Sequence, residues 1–386
     1  MTTGERRIAV FCPELFLPYS QTFIWDELRS HKRYRADVFA LGRKNESIFP
    51  YPYVHTPGSI PALLRYVATS RSARFERVFR SNPFCLVHAH FGTSAVFAQP
   101  YARRHRLPFV VTFHGYDVAV LLGSARLFPH RWRYWALSRS IFRDAAALLC
   151  ASEELRDLLI QLGAPRSSVR VYRLGVDVDR YQRADETRKV PRVTLIGRFV
   201  EKKGHLDGIE AFARALDAAR PATLSIVGSG PLEARYRERV ARLGIQSSVT
   251  FHGVLDPEQV AALLVRTDVL LAPSRVAANG DRESGLLVVR EAGAAGVPVI
   301  GTYHGGIPES IDSGRTGYLV PEGDVEQLAR HLRELLEQPS RRQQMGNAAR
   351  DRIRREFDLT SRVEELAQIY DRVLATDPRS AASRRT

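Results

Sequence analysis

No apolar run in the 386 residues approaches the ~20 that a membrane-spanning helix needs, so no span is expected. Cysteine is scarce. Cys12, Cys85 and Cys150 lie far apart in apolar contexts, which argues against a disulfide framework and reads as buried thiols in a reducing compartment. The basic start MTTGERR runs into a short strand and not into an apolar signal core, so a soluble, cytoplasmic chain is expected. Zinc-finger, helix-turn-helix and aromatic RNA-binding signatures are missing, so no nucleic-acid partner is expected. Acid is short against base: 57 Lys+Arg face 42 Asp+Glu, a net charge of +15. The excess is uneven, with 27 Lys+Arg against 16 Asp+Glu in residues 1–186 and 30 against 26 in the rest. Three readings fit that asymmetry: a nucleic-acid face, attraction to anionic lipid at a membrane, or an Arg-rich solvated surface. The cationic amphipathic stretches Arg71–Arg80 and Arg131–Trp135 keep peripheral contact with the inner face of a membrane level with the solvated surface.

What is present is ordinary globular chemistry, 44% hydrophobic and 26% charged, in a chain longer than one core usually supports. Short apolar strands of the buried, parallel kind alternate with helical segments, the pattern of an α/β protein. In the first half these strands are Arg7–Cys12, Ala36–Leu41, Leu86–His90, Phe109–Phe113 and Ala145–Ser152. Ser20 is the expected cap of the first helix, and residues 42–82 are the least legible part. His88 and His90 point the same way from one strand, a spacing that can bind metal; no third ligand is nearby, so hydrogen-bonded core histidines are expected. The polar stretch 181–190 reads as a linker, and the tail from Pro378 as disordered.

The most informative stretch is Pro273–Glu309. Val269–Pro273 and Val297–Gly301 read as buried strands, and between them a helix opens near Gly285. A helix N-terminus offers unpaired N–H groups and partial positive charge, a seat for phosphate at Gly285, Leu286 and Leu287. Glu291 falls about six residues into that helix, roughly 9 Å along its axis, where a carboxylate can hold the vicinal hydroxyls of a ribose. Glu283, still in the loop, falls beyond the phosphates, where a sugar would lie. Earlier, a strand ends at Gly197 in a basic loop: Arg198 offers a planar fork and Lys203 a mobile point charge, a pairing suited to a pyrophosphate. The strand Phe109–Phe113 runs out into His114-Gly115-Tyr116-Asp117, and ligands in open α/β sheets bind at such strand ends.

Glu283 and Glu291, preceded by Gly280-Asp281 and followed by His304-Gly305-Gly306-Ile307-Pro308-Glu309, resemble the paired-glutamate signature of retaining glycosyltransferases of family four, in the bacterial branch that builds exopolysaccharide and other surface glycans. The resemblance covers nearly the whole chain. It implies the GT-B architecture: two Rossmann-like domains facing across a cleft, with a C-terminal helix crossing back to the first domain. The expected domains are 1–183 for the acceptor, with the crossing helix 357–376, and 190–356 for the nucleotide sugar. It implies that Arg198 and Lys203 clamp the leaving diphosphate, that His114 and Glu283 contact the donor sugar, and that the backbone at Gly253 meets the nucleobase. Retention of configuration is likewise implied. No Asp-x-Asp triplet ends a strand of the second domain, so no divalent metal is expected to be required and no cofactor beyond the donor. The first loop departs from the family: its usual pair of glycines is replaced by Ser20-Gln21-Thr22-Phe23, and an asparagine before Gly175 is replaced by Leu174.

The expected function is transfer of a sugar from a nucleotide-diphosphate sugar to a hydroxyl of a glycan or lipid-linked acceptor. A binding protein of the same fold without turnover is the alternative. A glycoside hydrolase using Glu283 and Glu291 as acid and base is a further rival, though it leaves the basic pair and the two α/β halves unexplained.

Overall fold

A computed structural model describes residues 6–12, 15–123, 129–182, 190–216 and 221–376. The chain divides into two units, Met1–Gly175 with Leu359–Thr386, and Val176–Asp358. The division therefore falls earlier than the linker read from the sequence, most of which lies outside the described residues, as does the tail from Pro378. Residues 176–182 group with the second unit because Val176 bridges Asp358, its N–H donates to the Phe357 carbonyl at 2.9 Å, and Arg350 reaches the Tyr181 carbonyl.

In the first unit the chain runs β1 (Arg6–Phe11), β2 (Leu15–Phe16), α1 (Thr22–Ser30), β3 (Tyr34–Phe39), β4 (Gly42–Arg43), β5 (Val54–His55), α2 (Ile60–Thr69) and α3 (Ala73–Ser81). It continues through β6 (Phe84–His90), α4 (Gly92–Arg104), β7 (Phe109–Phe113), α5 (Tyr116–Leu122), α6 (Pro129–Asp144), β8 (Ala147–Cys150), α7 (Glu153–Gln161) and β9 (Val169–Val171). Seven strands form one parallel sheet in the order β5-β3-β1-β6-β7-β8-β9. β7 and β8 are buried end to end and β6 everywhere but at Cys85, which is why they read as continuous apolar runs and not as alternation. Helix α1 corrects one expectation. The turn Tyr19–Gln21 precedes it as a 3-10 helix and Gln21 occupies the N-cap position, one residue later than a Ser20 cap would place it.

The second unit runs β10 (Arg192–Ile196), α8 (His205–Ala215), β11 (Thr223–Val227), α9 (Glu233–Arg242), β12 (Val249–Gly253), α10 (Pro257–Leu264), β13 (Val269–Ala272) and α11 (Leu287–Ala294). After these come β14 (Val299–Thr302), α12 (Ile307–Ser310), β15 (Gly317–Val320), α13 (Val325–Glu337) and α14 (Pro339–Glu356). Its six strands are again all parallel, ordered β12-β11-β10-β13-β14-β15. The order reverses between β10 and β13, and the loops leaving the carboxyl ends of these two strands carry Arg198, Lys203 and Glu283.

The last helix, α15 (Leu359–Thr376), belongs to the first unit. Its stripe Val363, Leu366, Ile369, Tyr370 and Val373 is buried as its helical spacing predicts. Tyr370 Oη lies 2.7 Å from His88 Nδ1, and Asp371 takes hydrogen bonds from Arg6 (2.9 Å) and Tyr34 (2.6 Å). Among the described residues no helix is long and apolar enough to cross a membrane.

Candidate active site

Strand β10 ends at Ile196, and after Gly197 the next seven residues return through a 3-10 turn, Glu201–Lys203, to Gly204 and α8. Gly204 has φ +61°, and a Cβ there would sit 1.8 Å from the Pro273 carbonyl oxygen, so only glycine lets this loop lie against the one leaving β13. That close approach assembles the site. Lys203 Nζ lies 3.0 Å from Glu283 Oε2 and Lys202 Nζ 3.4 Å from Glu283 Oε1. Lys202 also binds Asp281 Oδ1 (3.1 Å) and the Arg282 carbonyl (3.2 Å).

Lys203 is therefore not the mobile charge its sequence context predicts. Its side chain is 13% exposed, its stem packs beside Gly197, and its ammonium is held by a carboxylate eighty positions away. Arg198 is the contrast: it is exposed, and its guanidinium makes no hydrogen bond or ion pair among the described residues. Burial works against the charge on Glu283, but Lys203 and Lys202 overcome it and leave the acid at about 2. Burial draws Lys203 below the ordinary lysine range while Glu283 pulls it back. The 3.0 Å contact and the second ammonium make the pair ionic. Arg198, Lys202 and Lys203 against Glu283 and Asp281 leave one positive charge in excess.

The backbone of Glu283 is held as firmly as its carboxylate. Its N–H donates to His304 Nε2 at 2.9 Å, and His304 Nδ1 lies 2.7 Å from Glu322 Oε1. A backbone N–H only donates and a carboxylate only accepts, so Nε2 of His304 is the acceptor and Nδ1 carries the proton given to Glu322. The other oxygen of Glu322 accepts the N–H of Val276 at 2.9 Å, so one carboxylate ties both ends of the 276–283 loop. Glu201 Oε2 takes the Ala278 N–H at 3.0 Å, and Gly305 (φ +55°) lies so near that a Cβ would meet the Glu283 carbonyl at 2.4 Å.

Helix α11 opens at Leu287, two residues later than the sequence suggests, with Leu286 as N-cap and Gly285 ahead of it. No side chain caps it and no acid lies in its first turn, which leaves the partial positive charge of its N-terminus unopposed locally. Glu291 is the fifth residue of the helix and half-buried. Gly253 ends the edge strand β12 at φ +68°, and its carbonyl accepts the Gly228 N–H at 2.8 Å.

In the first unit His114 follows β7, with the rings of Phe23 and Phe91 4.9 and 4.4 Å from its own. Asp117 does not pair with the His114 ring. Its buried carboxylate instead takes the N–H groups of Gly92 (2.8 Å), Gly115 (2.9 Å), Val118 (3.1 Å) and His114 (3.2 Å), and so shapes the loop. Burial, then His90, pushes His114 well below the usual histidine range, so its imidazole is neutral. His114 Nε2 lies 3.3 Å from His90 Nδ1, and His90 Nε2 3.3 Å from Glu27 Oε1. The fold thus brings a third candidate metal ligand, Glu27, to His88 and His90, where the sequence shows none nearby. Both nitrogens of His88 are already engaged, with Tyr370 and with Thr112 Oγ1 at 2.7 Å each, which fits a hydrogen-bonded core.

Sequence reasoning missed Lys202, Asp281, His304 and Glu322. His304 stands in a motif that carries the family resemblance, but nothing local links it to Glu322 or to the Glu283 backbone.

A profile described as "Glycosyltransferase Family 4" matches residues 26–180, and one described as "Glycosyl transferases group 1" matches residues 179–352. WcaL of Escherichia coli, by name a colanic acid biosynthesis glycosyltransferase, is 32% identical over 286 residues, 70% of this chain and 67% of WcaL. The chain belongs to glycosyltransferase family 4. This glycosyltransferase is also 28% identical over 335 residues to AmsK of Erwinia amylovora, named for amylovoran biosynthesis, which spans 83% of this chain and 80% of AmsK. Among solved structures, Anabaena HepE in complex with UDP-glucose superposes with a TM-score of 0.77 at 20% identity, covering 94% of this chain and 99% of HepE. The fold is GT-B, two parallel-sheet Rossmann-like units.

Proposed function

We propose that this glycosyltransferase moves a sugar, with retention, from a nucleoside diphosphate sugar to a hydroxyl of a glycan or lipid-linked acceptor during assembly of a surface polysaccharide. The observation that carries the reading is the cation cluster at the β10 and β13 loop ends, with its exposed Arg198 and one positive charge in excess, together with the uncapped start of α11. The complex of HepE with UDP-glucose and the names of WcaL and AmsK support the donor class and the product class.

In this mechanism the bond from the anomeric carbon to the diphosphate breaks and its electron pair leaves with the phosphate. Arg198, Lys203 and the α11 N–H groups stabilise that charge. The acceptor oxygen bonds to the same face of the anomeric carbon, and its proton passes to the departing phosphate. Glu291 holds the ribose, and Glu283 orients the sugar. Glu283 stays ionised, so it cannot serve as the general acid that a glycoside hydrolase would need. The acceptor is assigned to the first unit, where a cavity of about 710 Å³ is lined by Gln21, Lys44, Tyr66, Phe91, Arg131 and others. Four of the lining residues, Lys44, Tyr66, Val67 and Ala68, come from the otherwise illegible 42–82 region.

Glu291→Ala is expected to lose about 10- to 100-fold in kcat/KM, the worth of hydrogen bonds to a charged group. Wild-type rates would remove Glu291 from the donor site. Transfer is expected to persist in EDTA; a large loss restored by Mn²⁺ would show that a metal is required. A thermal-shift screen against UDP, GDP, ADP and their sugars identifies the donor, and binding without transfer or hydrolysis on a broad acceptor panel would favour a protein without turnover.

A further inference from the structure

Residues 47–143 contain thirteen arginines, no lysine and only two acids, Glu76 and Asp117. The fold uses both acids internally. Asp117 is buried under four backbone N–H groups, and Glu76 faces Arg104 (3.4 Å) and His105 (3.2 Å). What this stretch shows to solvent is positive.

On that background lies an apolar surface that the protein leaves uncovered. Helix α2 exposes Ile60, Leu64 and Val67 by 73, 65 and 44%, a stripe at helical spacing, while Tyr66 on its other side is buried. Helix α6 exposes Trp132 and Trp135 by 61 and 50%, between Arg131 and Arg139. The two helices abut: Arg133 donates to the Val67 carbonyl at 2.9 Å and to Ser70 Oγ at 2.6 Å. Helix α3, the other basic amphipathic stretch read in the sequence, behaves differently. Its Phe75 and Phe79 are buried in the core, so it adds arginines to the surface but no apolar face.

We propose that α2 and α6 seat the first unit on an anionic lipid bilayer, with Ile60, Leu64, Val67, Trp132 and Trp135 in the interfacial layer and the surrounding arginines on headgroup phosphates. Tryptophan and arginine around an aliphatic stripe match the chemistry of a bilayer interface. Isoleucine, leucine and valine have no stacking role on a nucleic acid. A second copy of the chain would bring two positive faces together. This face borders the cavity assigned to the acceptor, which Val67, Arg131 and Arg133 also line, and the vesicle test does not depend on the transfer reaction.

The test uses the full chain with vesicles of phosphatidylcholine, with and without phosphatidylglycerol, read by flotation and by tryptophan emission. Binding and a blue shift are expected only with the anionic lipid, weakening as salt rises. Trp132→Ser/Trp135→Ser and, separately, Ile60→Ser/Leu64→Ser are each expected to partition about tenfold more weakly, with unchanged melting because these side chains are exposed. Two pairs on different helices keep the test informative if one variant folds poorly. Wild-type partitioning of both pairs, equal binding to phosphatidylcholine alone, or tighter binding to single-stranded RNA without a blue shift would overturn the proposal. So would a blue shift that follows protein concentration without vesicles, which would mark an interface between copies.

Discussion

Arg198→Ala is expected to lose about 10²- to 10³-fold in kcat, the cost of deleting one preorganised group that meets developing charge, while its melting temperature stays unchanged. The guanidinium is exposed and makes no hydrogen bond or ion pair among the described residues, so folding does not depend on it. Lys203→Ala is expected to lose a similar factor in transfer and also stability. It strips Glu283 of its 3.0 Å partner and leaves the buried carboxylate to Lys202 alone. Breaking a buried pair costs about 3–5 kcal/mol when nothing replaces the lost partner, and Lys202 should hold the loss to the lower end. Lys203→Met keeps the stem beside Gly197 and separates lost charge from lost packing. The measurements are kcat and KM with the donor selected by thermal shift, together with thermal melts of all three variants. Wild-type turnover in Arg198→Ala would place the diphosphate elsewhere.

Gly204→Ala should be the most damaging methyl in the second unit. The left-handed backbone costs alanine about 1–2 kcal/mol. The added Cβ would lie 1.8 Å from the Pro273 carbonyl oxygen, so the two site loops must part. With about 1–3 kcal/mol of overpacking strain added, the total reaches roughly 2–5 kcal/mol, or on the order of 5–15 °C for a unit of this size. Parting these loops also draws Lys203 from Glu283, and transfer should fall with stability. Gly244→Ala is the control: φ is +70°, but nothing lies within 4 Å of the new Cβ, so only the backbone cost remains. Equal melting losses in the two variants would mean that the loop contact is not what Gly204 supplies.

The residues that bear on these outcomes differ in how legible they were. The strands β6, β7, β10 and β13 are readable because a parallel sheet covered on both faces demands unbroken apolar runs. The stripe of α15 is readable for the corresponding reason at helical spacing. The pairing of Glu283 with Lys203 is not, because it depends on two loops eighty residues apart closing through Gly204. The His304–Glu322 clamp has no signature at all: a histidine and a glutamate eighteen positions apart meet only once β15 lies beside β14. Glu27 reaches His90 only because the fold brings α1 to the end of β6, far from it in sequence.

Composition, apolar periodicity and the paired glutamates determine by themselves that this chain folds into two α/β units and that cations and acids gather at strand ends, since those patterns follow from local backbone geometry and burial. Which charge neutralises which, and which stays exposed, was decided only in three dimensions, because an ion pair needs proximity that no local spacing encodes. The same holds for the two basic amphipathic segments. A helical apolar stripe says that one face avoids water, and only tertiary packing decided that α3 turns its phenylalanines inward while α6 leaves Trp132 and Trp135 outside.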